Sequence, residues 1–318
     1  MNEFELIEKY FKNLTKDNSG VAVGIGDDAA IVAIPNDHQL ATSVDTLVEG
    51  VHFFTDVNPF DLGFKSLAVN LSDMAAMAAE PRWLTLSLTL PENNSQWLEQ
   101  FAAGFSELAN QYELSLIGGD LTHGPLSISV QITGIVPMHS AIQRSGAAEG
   151  DLVYVSGQLG GAGLALMQLR EKQRSFSGIS GSCISRLLRP RPRIELGLSL
   201  RGLATSAIDI SDGLSSDLGH IVQASGVGAN INLVLLPVYK ELSQLTDSRY
   251  WHTVLSAGDD YELCFTIPES HKHELDKRTE NLNVTVVCIG KVREGKWITW
   301  LDADGSVLSL KKSGYRHF

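Results

Sequence analysis

Three consecutive stretches, WLTLSLTL (Trp83–Leu90), QWLEQFAAGFSELANQY (Gln96–Tyr112) and LSLIGG (Leu114–Gly119), decide the fold class. The first alternates leucine with Thr and Ser at the period of a strand. The second has the spacing of an amphipathic helix, and the third reads as a strand again. Outward from it the alternation continues. Residues 3–14 have helical periodicity, VAVGI, AAIVAI and LATSVD read as strands, and Asn58–Ala79 reads as a helix with Pro59 near its start. LSISVQITGIV (Leu126–Val136) is a further strand. Strands and helices in alternation predict an α/β or α+β domain with a helix-covered sheet. At SAIQRSGAAEG (Ser140–Gly150) the pattern breaks into small and polar residues, which places a domain boundary there. The predicted domains are therefore 1–140 and 150–318.

The second half restarts with the strand DLVYVSG and a Gly-rich helix entry. Strands are expected at 230–236, 261–267 and 283–289, a helix after DISDGL, and a terminal hairpin in which KWITWL and SVLSL flank the turn DADG. Asp302, Asp304 and Gly305 resemble a fragment of a calcium loop, but the remaining ligands are missing and a hairpin turn fits better. The serine-rich segment 175–185 (SFSGISGSCIS) is expected to be a mobile surface loop.

The chain has 318 residues, 43% hydrophobic and 19% charged, enough apolar material for two cores. Acids outnumber bases 37 to 25, a net charge of −12, which disfavours nucleic acid or an anionic membrane as partner. Twenty-nine glycines beside ten prolines suggest tight backbone turns in an enzyme-like fold. The three cysteines, Cys183, Cys264 and Cys288, are far apart with no CxxC pair, which points to a reducing compartment. The acidic MNEFELIEKYF start is unlike a basic signal region. The uncharged stretch Leu152–Leu169 reads as a strand, a Gly-rich turn and a helix start, not a membrane span. A cytoplasmic protein is expected.

The chemistry lies in six short motifs in which Asp ends an apolar run: GIGDDAA (Asp27, Asp28), TSVDT (Asp45), NLSDMAA (Asp73), IGGDLT (Asp120), DISDGL (Asp209, Asp212) and AGDDYEL (Asp259, Asp260). Four follow strand-like segments, so their carboxylates are expected to gather at strand ends. Each alone is equally a turn former or helix cap; six of one kind favour a shared site. Segments 13–50, 66–81 and 114–143 hold Lys16 and no other Lys or Arg. Crowded carboxylates raise one another's pKa, and hard divalent cations such as Mg²⁺ or Mn²⁺ relieve that conflict. Metals held by oxygen ligands in an acidic protein imply a phosphate-bearing substrate and phosphoryl transfer. GxxxxGK[ST], GxGxxG, HRD and DFG are all missing. QLGGAGLA (Gln158–Ala165) is read either as a phosphate-binding helix start or as close helix–sheet packing.

The ordered set GIGDDAA, SVDTLVEGVHF, AVNLSDMAAMAAEP, IGGDLT, VSGQLGGAGLAL, DISDGLSSDL, GDDYELCF and GYRHF resembles the thiamine-monophosphate kinases over nearly the whole chain. It is also similar to aminoimidazole ribonucleotide synthetase and selenophosphate synthetase, although no Cys precedes Cys183 to serve as the reactive residue of the latter. The resemblance implies a two-domain α/β chain: an N-terminal mixed sheet with helices that dimerises and binds ATP and several Mg²⁺, and a C-terminal domain completing the substrate site. It implies ATP-dependent conversion of thiamine monophosphate to thiamine diphosphate by a homodimer. Asp28, Ser43, Asp45, Asp73, Asp120, Asp209 and Asp212 become magnesium ligands. Gly119, Asp120, Arg144 and Ser211 become nucleotide contacts, and His52 and Asp259, with Asp260 as the alternative to the latter, become substrate contacts. Asp259 stands where Glu is expected. Tyr315, with Phe318 as the alternative, becomes the aromatic that covers the substrate.

Overall fold

The computed structural model describes residues 3–16, 20–171, 179–245 and 247–309. Tyr315, Phe318 and the first part of the serine-rich segment lie outside the described residues. The chain divides into two compact units. One takes in the chain up to Met74 together with Ala79–His139; the other takes in Ala75–Ala78 and the chain from Ser140 onward.

In the first unit, helix α1 (Glu3–Tyr10) is followed by strands β1 (Val21–Val23), β2 (Ile31–Val32) and β3 (His38–Val48), then by α2 (Pro59–Ala76), β4 (Glu80–Leu90), α3 (Ser95–Gln111), β5 (Ser115–His123) and β6 (Ser127–Pro137). β1 and β2 form a small antiparallel pair, and the main sheet runs β3-β6-β4-β5. It is mixed: β4 is parallel to β5 and antiparallel to β6, and β3 is antiparallel to β6. Its period-2 pattern separates the faces. Leu84, Leu86 and Leu88 of β4 and Ile128, Val130 and Ile132 of β6 are buried, as are Leu67 and Leu71 of α2 and Phe101 and Phe105 of α3. The two helices meet at glycines. A Cβ on Gly63 would overlap the carbonyl oxygen of Phe101, and one on Gly104 that of Phe60. Asn94 caps α3 by accepting the N–H of Trp97 at 3.1 Å.

The opposite face is polar and open. Thr46 and Ser129 share a hydrogen bond of 2.7 Å, and Thr42 and Thr133 one of 3.2 Å. Among these hydroxyls Val44 is 63% exposed and Leu40 45%.

The second unit contains β7 (Leu152–Ser156), α4 (Gly161–Glu171), α5 (Gly181–Leu188), α6 (Ile194–Ser199), β8 (Ser206–Asp209), α7 (Leu214–Ser225), β9 (Gly228–Asn232), α8 (Asp247–Ser256), β10 (Leu263–Ile267), α9 (Lys272–Thr279), β11 (Val286–Arg293) and β12 (Ile298–Leu301). Its sheet has the order β12-β9-β11-β7-β10-β8, parallel only between β12 and β9. Tyr154 stacks on Phe265 at 5.5 Å within a core of Leu263, Phe265, Ile267 and Ile289.

Both units are mixed α/β, as the alternation predicts. Three local readings need correction. β9 ends at Asn232 and passes into a 3₁₀ turn over Leu233–Leu235, because the Asn232 side chain accepts the N–H of Val234. Residues 181–185 are not loop: they open α5, and Cys183, Arg186 and Leu187 anchor that helix in the core. Asp45 and Asp120 do not end strands. The β-favouring residues that follow them carry β3 on to Val48 and β5 on to His123. The terminal turn is as expected, with Asp304 accepting the N–H of Ser306 at 2.9 Å.

Candidate functional site

The candidate residues fall into three neighbourhoods. The first lies between β3 and α2. Ser43 and Asp45, two apart on a strand, share one face; Asn70 and Asp73, three apart on a helix, share another. Ser43 donates its hydroxyl to Asp73 Oδ2 at 2.5 Å, and the Asp45 N–H donates to Asn70 Oδ1 at 3.2 Å. Burial pushes the Asp45 carboxyl up to about 6, and the charge and hydrogen bonding of Asp73 push in the same direction.

The second neighbourhood is a cavity of about 700 Å³ in the first unit, lined by Asp27, Asp28, Gly118, Gly119 and Asp120, with Phe11 and Lys12 of the N-terminal segment. Asp28 and Asp120 are exposed, and the Asp28 N–H donates to Asp27 Oδ1 at 2.9 Å. Lys12 is paired with Glu8 at 2.7 Å. Gly119 is required here, since a Cβ would overlap the Leu86 carbonyl oxygen. Register relates the two neighbourhoods. Asp45 pairs with Val130, Val130 with Leu86 and Leu86 with Gly119; Asp120 is in the next row with Ser87, Ser129 and Thr46. Adjacent rows point to opposite faces, so Asp45 and Asp120 leave the sheet on opposite sides.

The third neighbourhood is in the second unit. β8 ends on the buried Asp209, and the chain turns through Ser211 and Asp212 into α7. The N–H groups of Asp212 and Gly213 both donate to Asp217 Oδ2 at 3.1 Å. Burial, reinforced by the charges of Asp209 and Asp212, pushes the Asp217 carboxyl up to about 8. Asp259 is placed against the same segment, donating its N–H to the Ser211 carbonyl at 2.9 Å. Arg144 is exposed on a segment fastened beside β8 by the Ala207 N–H, which donates to the Gln143 carbonyl at 3.0 Å.

His52 stands apart, half-buried in the loop after β3. Its Nδ1 accepts the Val48 N–H at 2.9 Å. The Gly-rich start of α4 resolves to packing. The Gly160 N–H is taken by the Asp260 carboxylate at 2.9 and 3.0 Å, and Gly161 and Gly163 lie against Tyr239 and Ala257. Among the described residues no three His, Cys, Asp or Glu side chains are grouped closely enough to enclose a metal ion. No helix among them is long and apolar enough to cross a membrane.

Sequence reasoning missed Asp217, although it stands in the quoted DISDGLSSDL. The signal is its position five residues after Asp212, one turn into α7, where a carboxylate meets the free N–H groups of a helix start. It also missed the buried Arg186 and Glu262 and the half-buried Arg193, a charge cluster at the DDYEL turn. Arg and Glu distant in sequence carry no pairing signal.

Comparison with known proteins matches residues 26–136 to the N-terminal domain, and residues 148–300 to the C-terminal domain, of AIR synthase related proteins. Thiamine-monophosphate kinase of Escherichia coli K12 is 49% identical over 319 residues, spanning 99% of this chain and 98% of that protein. The crystal structure of thiamine-monophosphate kinase from Stenotrophomonas maltophilia is 40% identical, with a TM-score of 0.87 over 97% of this chain and 98% of that one. A solved complex of AaThiL with AMPPCP and TMP is 32% identical, with a TM-score of 0.77 over 99% of this chain and 97% of that one. With both family domains matched in order and close relatives aligned from end to end, the chain belongs to the AIR synthase related family and, within it, to the thiamine-monophosphate kinases.

Proposed function

We propose that the chain transfers the γ-phosphoryl group of ATP to thiamine monophosphate, giving thiamine diphosphate and ADP. The observation that carries this reading is the 49% identity, spread over 99% of the chain, to a kinase of that name. A new P–O bond forms from an acceptor phosphate oxygen to the γ-phosphorus, and the bond to the β–γ bridging oxygen breaks, its electron pair leaving with ADP. The acceptor is a phosphate monoester whose second pKa is about 6, so it is already largely dianionic at neutral pH. No strong general base is needed. What the protein must do is bring two polyanions together in line.

The residues present fit Mg²⁺. Asp45 and Asp73 crowd together with the Ser43 hydroxyl, all hard oxygen donors, and the Asp45 carboxyl is raised first by burial and then by the neighbouring Asp73 charge, both of which a bound cation would offset. In this reading Asp28, Ser43, Asp45, Asp73 and Asp120 are the magnesium ligands of the first unit, and Asp209 and Asp212 are those of the second. When bound, Mg²⁺ supplies charge neutralisation to the phosphates. The exposed Gly119 and Asp120 are placed as contacts to the nucleotide phosphates, and Arg144 and Ser211 add further nucleotide contacts. His52 and Asp259 hold the acceptor, with Asp259 facing its cationic ring; Tyr315 is proposed to cover that ring.

The protein is proposed to act as a homodimer, supported by the open sheet face on which Val44 and Leu40 are exposed among hydroxyls. A cytoplasmic location fits its three unpaired cysteines. Purified protein given ATP, Mg²⁺ and thiamine monophosphate is expected to yield thiamine diphosphate and ADP one for one by mass spectrometry. Free thiamine is expected to be a very poor acceptor, and its equal phosphorylation would overturn the phosphate-anchored reading.

A further inference from the structure

Residues Gly258, Asp259 and Tyr261 all lie in the left-handed region, with φ of +73°, +62° and +48°. Two of the three carry a side chain, so surrounding structure must impose the turn. On one side it is laid backbone to backbone on the DISD segment. The Asp259 N–H donates to the Ser211 carbonyl at 2.9 Å and the Tyr261 N–H to the Ile210 carbonyl at 2.8 Å. A Cβ on Gly258 would overlap the Ser211 oxygen.

The other side is held from within the core. Asp260 points inward to the Gly160 N–H, and its carbonyl accepts a hydrogen bond from Arg186 Nη2 at 2.7 Å. Arg186, on α5, is buried, and the same nitrogen donates to Glu262 Oε1. Both hydrogens of Nη2 are therefore committed, one to the turn and one to the carboxylate. Glu262 is gripped independently by Arg193, whose Nε reaches Oε2 at 2.6 Å and whose Nη2 reaches Oε1 at 2.5 Å, and it accepts the Ser156 hydroxyl at 2.5 Å.

We propose that Arg186 is a positioning residue for the phosphoryl-transfer site, acting through the Asp260 main chain to hold Asp259 toward the acceptor. The inference rests on the reading of Asp259 as an acceptor contact. Arg193 keeps Glu262 paired without help, so removing Arg186 leaves no unpartnered buried carboxylate; it frees the turn.

The test is a double-mutant cycle in the full chain with R186M, D259N and the combined variant, reading kcat, KM for thiamine monophosphate and the thermal midpoint. R186M is expected to lower kcat/KM about 10- to 100-fold, the range for misplacement of a binding group by a distant change. R186K is expected to recover part of the loss, because an ammonium still reaches the Asp260 carbonyl. In the D259N background, R186M is expected to add about twofold or less, since the two act as one unit. Additive losses, or wild-type kcat/KM in R186M, would overturn the positioning role while the acceptor role of Asp259 stands. Wild-type kcat/KM in D259N would overturn that acceptor role, and the inference with it. If R186M does not fold, R186K in the two backgrounds completes the same cycle.

Discussion

Ser43 on β3 donates its hydroxyl to Asp73 on α2 at 2.5 Å, tying the strand that carries Asp45 to the helix that faces it. The bond occupies one oxygen of Asp73 and brings its charge beside Asp45, whose carboxyl is pushed up to about 6 chiefly by burial and then by Asp73. Two carboxylates set together in this way repel one another, a cost in the free protein that a bound cation would relieve.

Asp73→Asn keeps the shape and removes the charge. The Asp45 carboxyl is expected to move down toward its ordinary range, read by ¹³C NMR titration. Turnover is expected to fall on the order of 100- to 1000-fold, comparable to losing one electrostatic group of a transfer site, with partial recovery at high Mg²⁺. Ser43→Ala leaves both carboxylates and is expected to cost about tenfold, the worth of one hydrogen bond. Near-normal turnover of Asp73→Asn at low Mg²⁺ would refute the cluster.

Asp260 predicts a pH dependence of stability. Burial pushes its carboxyl up from 3.8 to about 7, although the Gly160 N–H and Arg186 pull it down. A carboxyl raised by folding gives its full contribution below the unfolded value and loses it as pH rises through the folded one. Stability is therefore expected to decline between about pH 4 and pH 7. Asp260→Asn keeps an acceptor for Gly160 and removes the titration. Its denaturation midpoint is expected to change less between pH 5 and pH 8 than that of the wild type; parallel curves would refute the assignment.

The fold class was legible because patterning and propensity agree along residues 83–137: alternating Leu with Thr or Ser in the strands, apolar helix faces, and an Asn cap before α3. The candidate acids were legible as types but not as an arrangement. Reading Asp45 and Asp120 as strand ends missed that both stand inside long strands, one row apart, and so on opposite faces. The serine-rich composition of 181–185 hid a helix whose buried face is built by Cys183, Arg186 and Leu187. Composition reports solvation on average, whereas a helix needs only its inward positions to be suited to the core. The Arg186–Glu262–Arg193 cluster depends on approach across about 70 residues of chain, 76 and 69 for the two pairs, which no local pattern encodes.

The open face of the first sheet predicts assembly. Val44 is 63% exposed in the single chain and lies among Thr42, Thr46 and Ser129, so a charge there is compatible with the fold. Light scattering is expected to give twice the 34.5 kDa chain mass for the wild type and the chain mass for Val44→Glu, with unchanged circular dichroism. A wild-type monomer with full activity would refute the dimer.

His52 supplies the last prediction, because its ring nitrogens have separable jobs. A main-chain N–H can only donate, so Nδ1, which accepts it from Val48 at 2.9 Å, carries no proton in the neutral ring. The proton is then on Nε2, and toward the acceptor the ring is a hydrogen-bond donor, not a base. Asn and Gln divide these functions: an Asn oxygen can stand near the Nδ1 position and keep the Val48 bond, while a Gln amide nitrogen can stand near Nε2 and keep the donor. If the donor binds the acceptor phosphate ester, His52→Gln is expected to retain KM for thiamine monophosphate within a few fold. His52→Asn is expected to raise KM about tenfold, the worth of one hydrogen bond to a charged group, with kcat less affected because the contact is made equally in ground and transition states. The loop bond predicts the opposite order for stability, with His52→Asn the more stable of the two. A ¹⁵N spectrum showing the proton on Nδ1, or equal KM values for the two variants, would refute the donor role.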